Sequence, residues 1–137
     1  MKYTESRLAR WLNYCNYCMT KIAINGFGRI GRIFFRQAFG HPDLEIIAIN
    51  DLGSPENLAY LLKYDTVYGL FEKSVGVEGG MLAVNKKKIR ILNEIEPARL
   101  PWKDLGIDIV VESTGVFESA DKEKDHLDAG AKRVVIT

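Results

Sequence analysis

Between an apolar run, Lys21 to Asn25, and a segment with helical spacing of apolar residues stand Gly26-Phe27-Gly28-Arg29-Ile30-Gly31. Glycines in a Gly-x-Gly-x-x-Gly pattern permit a tight turn and let a pyrophosphate come close to the backbone. The segment that follows, Arg29 to Phe39, places Ile30, Ile33, Phe34 and Ala38 at helical spacing. The first-turn N–H groups of such a helix have no partners within it, and its positive dipole end attracts an anion. The glycines alone are a weak signal, but here strand, turn and helix stand in the required order. Asp51 comes twenty residues after Gly31, at the end of a second nearly continuous apolar run, Leu44 to Asn50. A carboxylate at that place can accept hydrogen bonds from adenosine ribose hydroxyls and would repel a 2′-phosphate, which favours NAD over NADP. A plainer reading stays open on these residues: the glycines form an ordinary turn and Asp51 caps a helix near Ser54. Arg29 is equally balanced between a solvated helix start and a contact to cofactor phosphates.

The rest of the chain repeats the alternation. Pro55 sits near the start of a helical Glu56 to Lys63, which completes a βαβ unit. Ser74 to Val77, Met81 to Val84 and Lys88 to Leu92 are separated by Gly79-Gly80 and Asn85-Lys86-Lys87, both turn signals, and predict a short antiparallel excursion at about 73–92. Ile107 to Glu112 resumes the buried-strand pattern, Ser119 to Ala129 reads as a helix stopped by Gly130, and Arg133 to Ile136 is one more strand. Alternating strands and helices predict an α/β chain with a Rossmann-type, doubly wound, mostly parallel sheet and helices on both faces.

At 137 residues the chain is about one domain's worth. Nineteen Lys and Arg against eighteen Asp and Glu leave a net charge of +1, so no overall basic field draws it to nucleic acid, and Lys86-Lys87-Lys88 reads as a solvated hairpin turn. No apolar run approaches the roughly 18 residues of a membrane span. The N-terminus is interrupted by Glu5, Arg7 and Arg10 and lacks the pattern of a secretory signal, which points to a cytoplasmic protein. Leu8, Trp11, Leu12 and Cys15 have the spacing of an amphipathic turn or two, and Met19 offers a natural start just before the first strand. Residues 1–19 are therefore expected to be an extension, and 20–137 the folded unit. Cys15 and Cys18 form a single Cys-x-x-Cys with no second pair to complete a zinc site, so they read as ordinary thiols and no metal is expected. His41 and His126 read as loop or helix-surface residues.

Lys21-Ile22-Ala23-Ile24-Asn25-Gly26-Phe27-Gly28-Arg29-Ile30-Gly31-Arg32 and Ala48-Ile49-Asn50-Asp51-Leu52 closely resemble the opening of phosphorylating, NAD-dependent glyceraldehyde-3-phosphate dehydrogenases. Leu61 to Gly69, Leu100-Pro101-Trp102, Glu112 to Phe117 and Ala129 to Lys132 match later landmarks of that family in the same order, so the resemblance runs from Lys21 to Thr137. It implies NAD held by Asn25, Gly26, Phe27, Gly28, Arg29, Ile30 and Gly31 at the pyrophosphate, and by Asn50 and Asp51 at the adenosine end. Ser113, Thr114, Gly115 and Phe117 would line later cofactor contacts, and Thr137 matches a position on the nicotinamide side. Ile95 departs from the basic residue usual there, which should alter affinity for adenine rather than abolish its recognition.

In that family a cysteine attacks the aldehyde and a histidine acts as base, but both lie beyond the region matched here. No catalytic residue is therefore assigned, and this chain alone is expected to be inactive, with a C-terminal catalytic domain missing. A sugar-phosphate substrate and a homotetramer are implied only for the full-length enzyme. Two alternatives remain: a fragment of the related erythrose-4-phosphate dehydrogenase, against which Asp51 weighs, and a stand-alone dinucleotide-binding module.

Overall fold

A computed structural model describes residues 18–116 and 120–137, the side chains of 120–122 excepted. The amphipathic turn expected ahead of Cys18, Cys15 and Phe117 lie outside the described residues. At the centre is β1 (Thr20–Asn25), which pairs in parallel with β2 (Leu44–Asn50) on one side and β8 (Ile109–Glu112) on the other. Successive side chains of a strand point to opposite faces, and both faces of β1 are covered. Ile22 and Ile24 belong to a cluster with Phe27 of the glycine turn and with Phe35 and Leu62 from the first two helices, α1 (Arg29–Ala38) and α2 (Pro55–Lys63). Ala23 and Ala48 belong to the opposite cluster, with Trp102, Ile107 and Ala131. Trp102 opens the short α3 (Trp102–Leu105) and is fully buried against these small residues.

Among the described residues the main sheet has seven strands in the order β5 (Val75–Glu78), β6 (Met81–Val84), β7 (Lys87–Leu92), β2, β1, β8 and β9 (Arg133–Ile136). The expected excursion is a meander of β5, β6 and β7. Asn85 and Lys86, at φ 45° and 69°, form the two-residue turn between β6 and β7, a conformation that matches the twist of a hairpin. The meander never leaves the sheet, because β7 changes partner along its length. Lys87 to Ile89 pair antiparallel with β6, whereas Arg90 to Leu92 pair in parallel with β2.

The remaining parallel strand, β9, pairs with β8. It follows α4 (Ala120–Asp128), close to the limits read from the sequence. Two details differ from that reading. Strand β8 begins at Ile109 rather than Ile107, because the Ile107 N–H closes α3 onto the Trp102 carbonyl (3.0 Å). An unanticipated two-stranded hairpin, β3 (Tyr64–Asp65) with β4 (Gly69–Leu70), is organised by Asp65, whose carboxylate accepts from the Val67 and Tyr68 N–H groups.

Candidate cofactor site

Chain direction around the sheet reverses at β1: the first crossover leads to β2, and the chain later returns to the other side through β8. In open parallel sheets a crevice forms beyond the strand C-termini at such a reversal. A cleft of about 380 Å³ lies here, between the glycine turn, the end of β2, and Ser113 and Thr114 after β8.

The three turn glycines have three different reasons. Gly26 has φ +90°, and a Cβ on it would come within 2.7 Å of the Thr114 nitrogen, so the two walls of the cleft meet only because it is bare. A Cβ on Gly31 would run into the Gly26 carbonyl oxygen, which packs the helix onto the turn. Gly28 has an ordinary φ of −71°, and nothing lies within 4 Å of the position its Cβ would take. No protein contact requires a glycine there, and its bare side borders the cleft. Gly28 is also the N-cap of α1, which has neither a side-chain cap nor an acidic residue in its first turn. Unsatisfied N–H groups and the positive end of the helix dipole therefore stand beside the opening.

Asp51 fastens the turn to the end of β2. Its Oδ2 accepts from the Phe27 N–H and its Oδ1 from the Gly53 N–H, both at 2.8 Å. A carboxylate offers about four acceptor sites, so two remain for a ligand's hydroxyls. Capping of α2 falls instead to Ser54, whose hydroxyl accepts from the Asn57 N–H at 3.3 Å. Leu52 and Ile95 border the same end of the cleft with 61% and 72% of their surface exposed, which provides apolar walls for a flat ring.

Beneath the cleft runs a buried polar chain. The Asn25 amide donates to Glu112 Oε2 (2.6 Å), and the Asn50 amide donates to Asn25 Oδ1 (2.7 Å) and to the Glu94 carbonyl (2.8 Å). His126 Nε2 lies 2.8 Å from the same Glu112 oxygen, and the Trp102 indole N–H donates to His126 Nδ1 at 3.0 Å. The other oxygen of Glu112 accepts from the N–H and hydroxyl of Thr114. Burial acts to push the Glu112 carboxyl up, but donors from His126, Thr114 and Asn25 outweigh it and hold the group below the usual carboxylate range.

The sequence profile of the family described as glyceraldehyde 3-phosphate dehydrogenase, NAD binding domain, matches residues 20–120. The chain belongs to this family. A cytosolic glyceraldehyde-3-phosphate dehydrogenase of Trypanosoma brucei brucei is 54% identical over 117 residues, 85% of this chain and 35% of that protein. The enzyme of that name from Salmonella typhimurium is 52% identical over 117 residues, with the same shares covered. That of Thermotoga maritima is 50% identical over 121 residues, 87% of this chain and 36% of that protein. The chain thus spans about a third of the length of the curated relatives it matches.

In this NAD-binding domain Asn25, Gly26, Gly28, Asn50, Asp51, Ser113 and Thr114 border the cleft. The others named from the sequence stand differently. Phe27 turns its ring into the core against Phe35, 5.6 Å between centroids, and only its backbone faces the turn. Gly31 is buried behind the turn, Arg29 and Ile30 are exposed on α1, and Gly115 is exposed at φ +69°. Thr137 donates from both its N–H and its hydroxyl to the Glu112 carbonyl. The side chains of Asn25, Asn50 and Ser113 are engaged with the protein itself, Ser113 donating to the Gly26 carbonyl at 2.7 Å.

His126 corrects the sequence reading: it is not a helix-surface residue but fully buried between Trp102 and Glu112. Glu112, Trp102 and the apolar Leu52 and Val116 at the cleft also went unassigned. One signal was available for Glu112, a charged residue closing an otherwise apolar strand.

Proposed function

We propose that this chain is the cofactor-holding part of an NAD-dependent, phosphorylating glyceraldehyde-3-phosphate dehydrogenase. Such an oxidoreductase converts glyceraldehyde 3-phosphate, phosphate and NAD to 1,3-bisphosphoglycerate and NADH in glycolysis. The observation that carries the cofactor assignment is Gly28: a glycine required by no protein contact, at the uncapped start of a helix, with its bare side on the cleft. A pyrophosphate is the group that needs both the room and the free N–H donors.

In this reading Gly28 and the first turn of α1, with Arg29 beside it, take the pyrophosphate. Asp51 takes the adenosine ribose on its two unused acceptor sites, and Leu52 and Ile95 pack on adenine. Ser113, Thr114 and Gly115 form the opposite side, with Thr137 toward the nicotinamide; Phe117 is a further contact by family resemblance and lies outside the described residues. Asn25 and Asn50 serve as floor. NAD supplies the hydride acceptor, and the cysteine and histidine that act on the substrate belong to parts of such an enzyme not contained in this sequence. Support for that division is the 35% share of the relatives' length that the chain covers. We place residues 20–137 as the cofactor domain and 1–19 as an extension. We place the whole enzyme as a homotetramer in the cytoplasm, supported by family resemblance and by the cytosolic name of the trypanosomal relative. No described helix is long and apolar enough to cross a membrane.

Calorimetric titration with NAD and NADP tests the assignment. NAD should bind and NADP bind poorly, and Asp51→Ala should weaken NAD by about 1–3 kcal/mol. Equal binding of both dinucleotides, or an Asp51→Ala protein unchanged toward NAD, would remove Asp51 from the ribose.

A further inference from the structure

We propose that Glu112 is a positioning residue for the cofactor cleft: its carboxylate, oriented by His126, dictates which end of its amide each of Asn25 and Asn50 presents, and so fixes the floor. The inference rests on the cofactor reading of the cleft but concerns Glu112 and His126, which do not border it.

The direction of each bond in the chain follows from its two ends; Asn25 Nδ2 and His126 Nε2, 3.3 Å apart, are then both donors and share the Glu112 Oε2 acceptor rather than bonding to each other. An indole N–H can only donate, so His126 Nδ1, 3.0 Å from Trp102 Nε1, carries no proton. The ring proton therefore sits on Nε2 and is donated to Glu112 Oε2 at 2.8 Å. An ionised carboxylate can only accept, so Asn25 must turn its NH2 toward it. Its carbonyl oxygen is then left facing Asn50, which must answer with its own NH2. The Asn50 carbonyl oxygen in turn faces the Glu94 N–H, from which it accepts at 2.9 Å. Glu94 precedes Ile95 on the cleft wall, so the order imposed at Glu112 crosses β1 and β2 to reach the loop after β7. Through its second oxygen the same carboxylate holds Thr114 on the opposite wall.

An apolar floor of the same shape would fill this space without burying a charge, and buried ionic groups are poor sources of stability compared with packed apolar ones. Asn25, Asn50, Glu112 and His126 are nonetheless all at least 95% buried, at 2%, 5%, 3% and 0% exposure. Such a network supplies direction that apolar groups lack. Glu112→Gln shows why: its NH2 must face either the two donors of Thr114 or those of Asn25 and His126, and the sequence of bonds loses its origin.

The test uses the 137-residue chain. Nitrogen-15 spectra of the imidazole and side-chain amides are combined with NAD calorimetry on Glu112→Gln, His126→Gln and His126→Asn. In the unmodified protein His126 should show one bare and one protonated ring nitrogen, with the proton on Nε2. In Glu112→Gln the Asn50 amide signals should shift, although Asn50 does not touch Glu112, and NAD affinity should fall about tenfold, the loss of a hydrogen bond to a charged group. Both histidine variants remove the ring, asparagine leaving one methylene more of space than glutamine, but glutamine carries a donor to the place of Nε2 and asparagine reaches only as far as Nδ1. His126→Gln should therefore keep NAD affinity within about threefold, while His126→Asn loses about tenfold.

Unmoved Asn50 signals in Glu112→Gln, or equal losses in the two histidine variants, would overturn the proposal. Should Glu112→Gln not fold, the histidine pair decides. Absence of NAD binding in the unmodified protein would refute the cofactor reading instead. The Asn50 signals then decide the role of Glu112 alone, their movement upholding it and their constancy overturning it.

Discussion

Each glycine of the turn answers to a different neighbour, and substitution separates them. Gly31→Ala forces a methyl group against the Gly26 carbonyl oxygen and should lower stability by about 1–3 kcal/mol, the usual result of overfilling a packed site. Gly28→Ala meets no protein atom within 4 Å. It should lower stability by only about 0.5–1 kcal/mol, as a poorer N-cap, while NAD affinity falls about tenfold or more. Denaturant unfolding and calorimetry on the two variants check this; a Gly28→Ala protein that binds NAD as before would show that the space beside Gly28 is not the pyrophosphate's. The sequence displays all three glycines alike, and only the surroundings tell them apart. The place of Asp51 at the cleft was legible for the same reason as the glycines: it depends on a strand end and a short turn, both visible as a run of apolar residues followed by Asp-Leu-Gly. His126 was not legible. The partners that bury it, Trp102 and Glu112, lie 24 and 14 residues away, and Asn25 lies 101 away, distances no local periodicity reports.

Strands and helices were largely readable because each carries its own signal: continuous apolar runs for strands buried on both faces, 3.6-residue spacing for α1, Pro55 and Gly130 at helix limits. What could not be read was partnership. Nothing in Lys87 to Leu92 announces that the strand changes neighbour halfway, since pairing depends on strands far away in the chain. At the end of β8 the lowered Glu112 carboxyl links this element to acid stability. Its folded value lies below its unfolded value, so the unfolded chain binds more protons as the medium is acidified. The stabilisation is fully present above the unfolded carboxyl value of about 4.3 and is lost as pH falls through the folded value. Unfolding free energies measured between about pH 6 and pH 3 should fall for the unmodified protein. Glu112→Gln should begin lower and fall less steeply, by up to one proton. Parallel curves would assign the acid response to other carboxylates, among them Asp108, held low by Lys132 and the Lys21 N–H, and Asp65, held low by the Tyr68 and Val67 N–H groups.

At the scale of the molecule the sheet ends in two strands of different character. Among the described residues β9 pairs with β8 alone, and Val135 and Ile136 are 48% and 42% exposed. An open, apolar edge is a template for another strand. The chain should self-associate with rising concentration in sedimentation velocity, and Val135→Lys should shift it toward monomer; identical sedimentation at every loading would count against this edge. At the other end of the scale, β1 stands near the middle of the sheet although it comes early in the chain, and Asn25 meets Glu112 87 residues later. A ribosome adding about 5–20 residues per second needs roughly 4–18 s to travel from Gly26 to Thr114. Throughout that interval the glycine turn has no opposite wall, and for most of it one edge of β1 waits for β8 and one face for Trp102 and Ile107. NAD can therefore give no help to the nascent chain while it is most exposed to aggregation or in need of a chaperone. Its stabilising effect begins only after Thr114 has been synthesised.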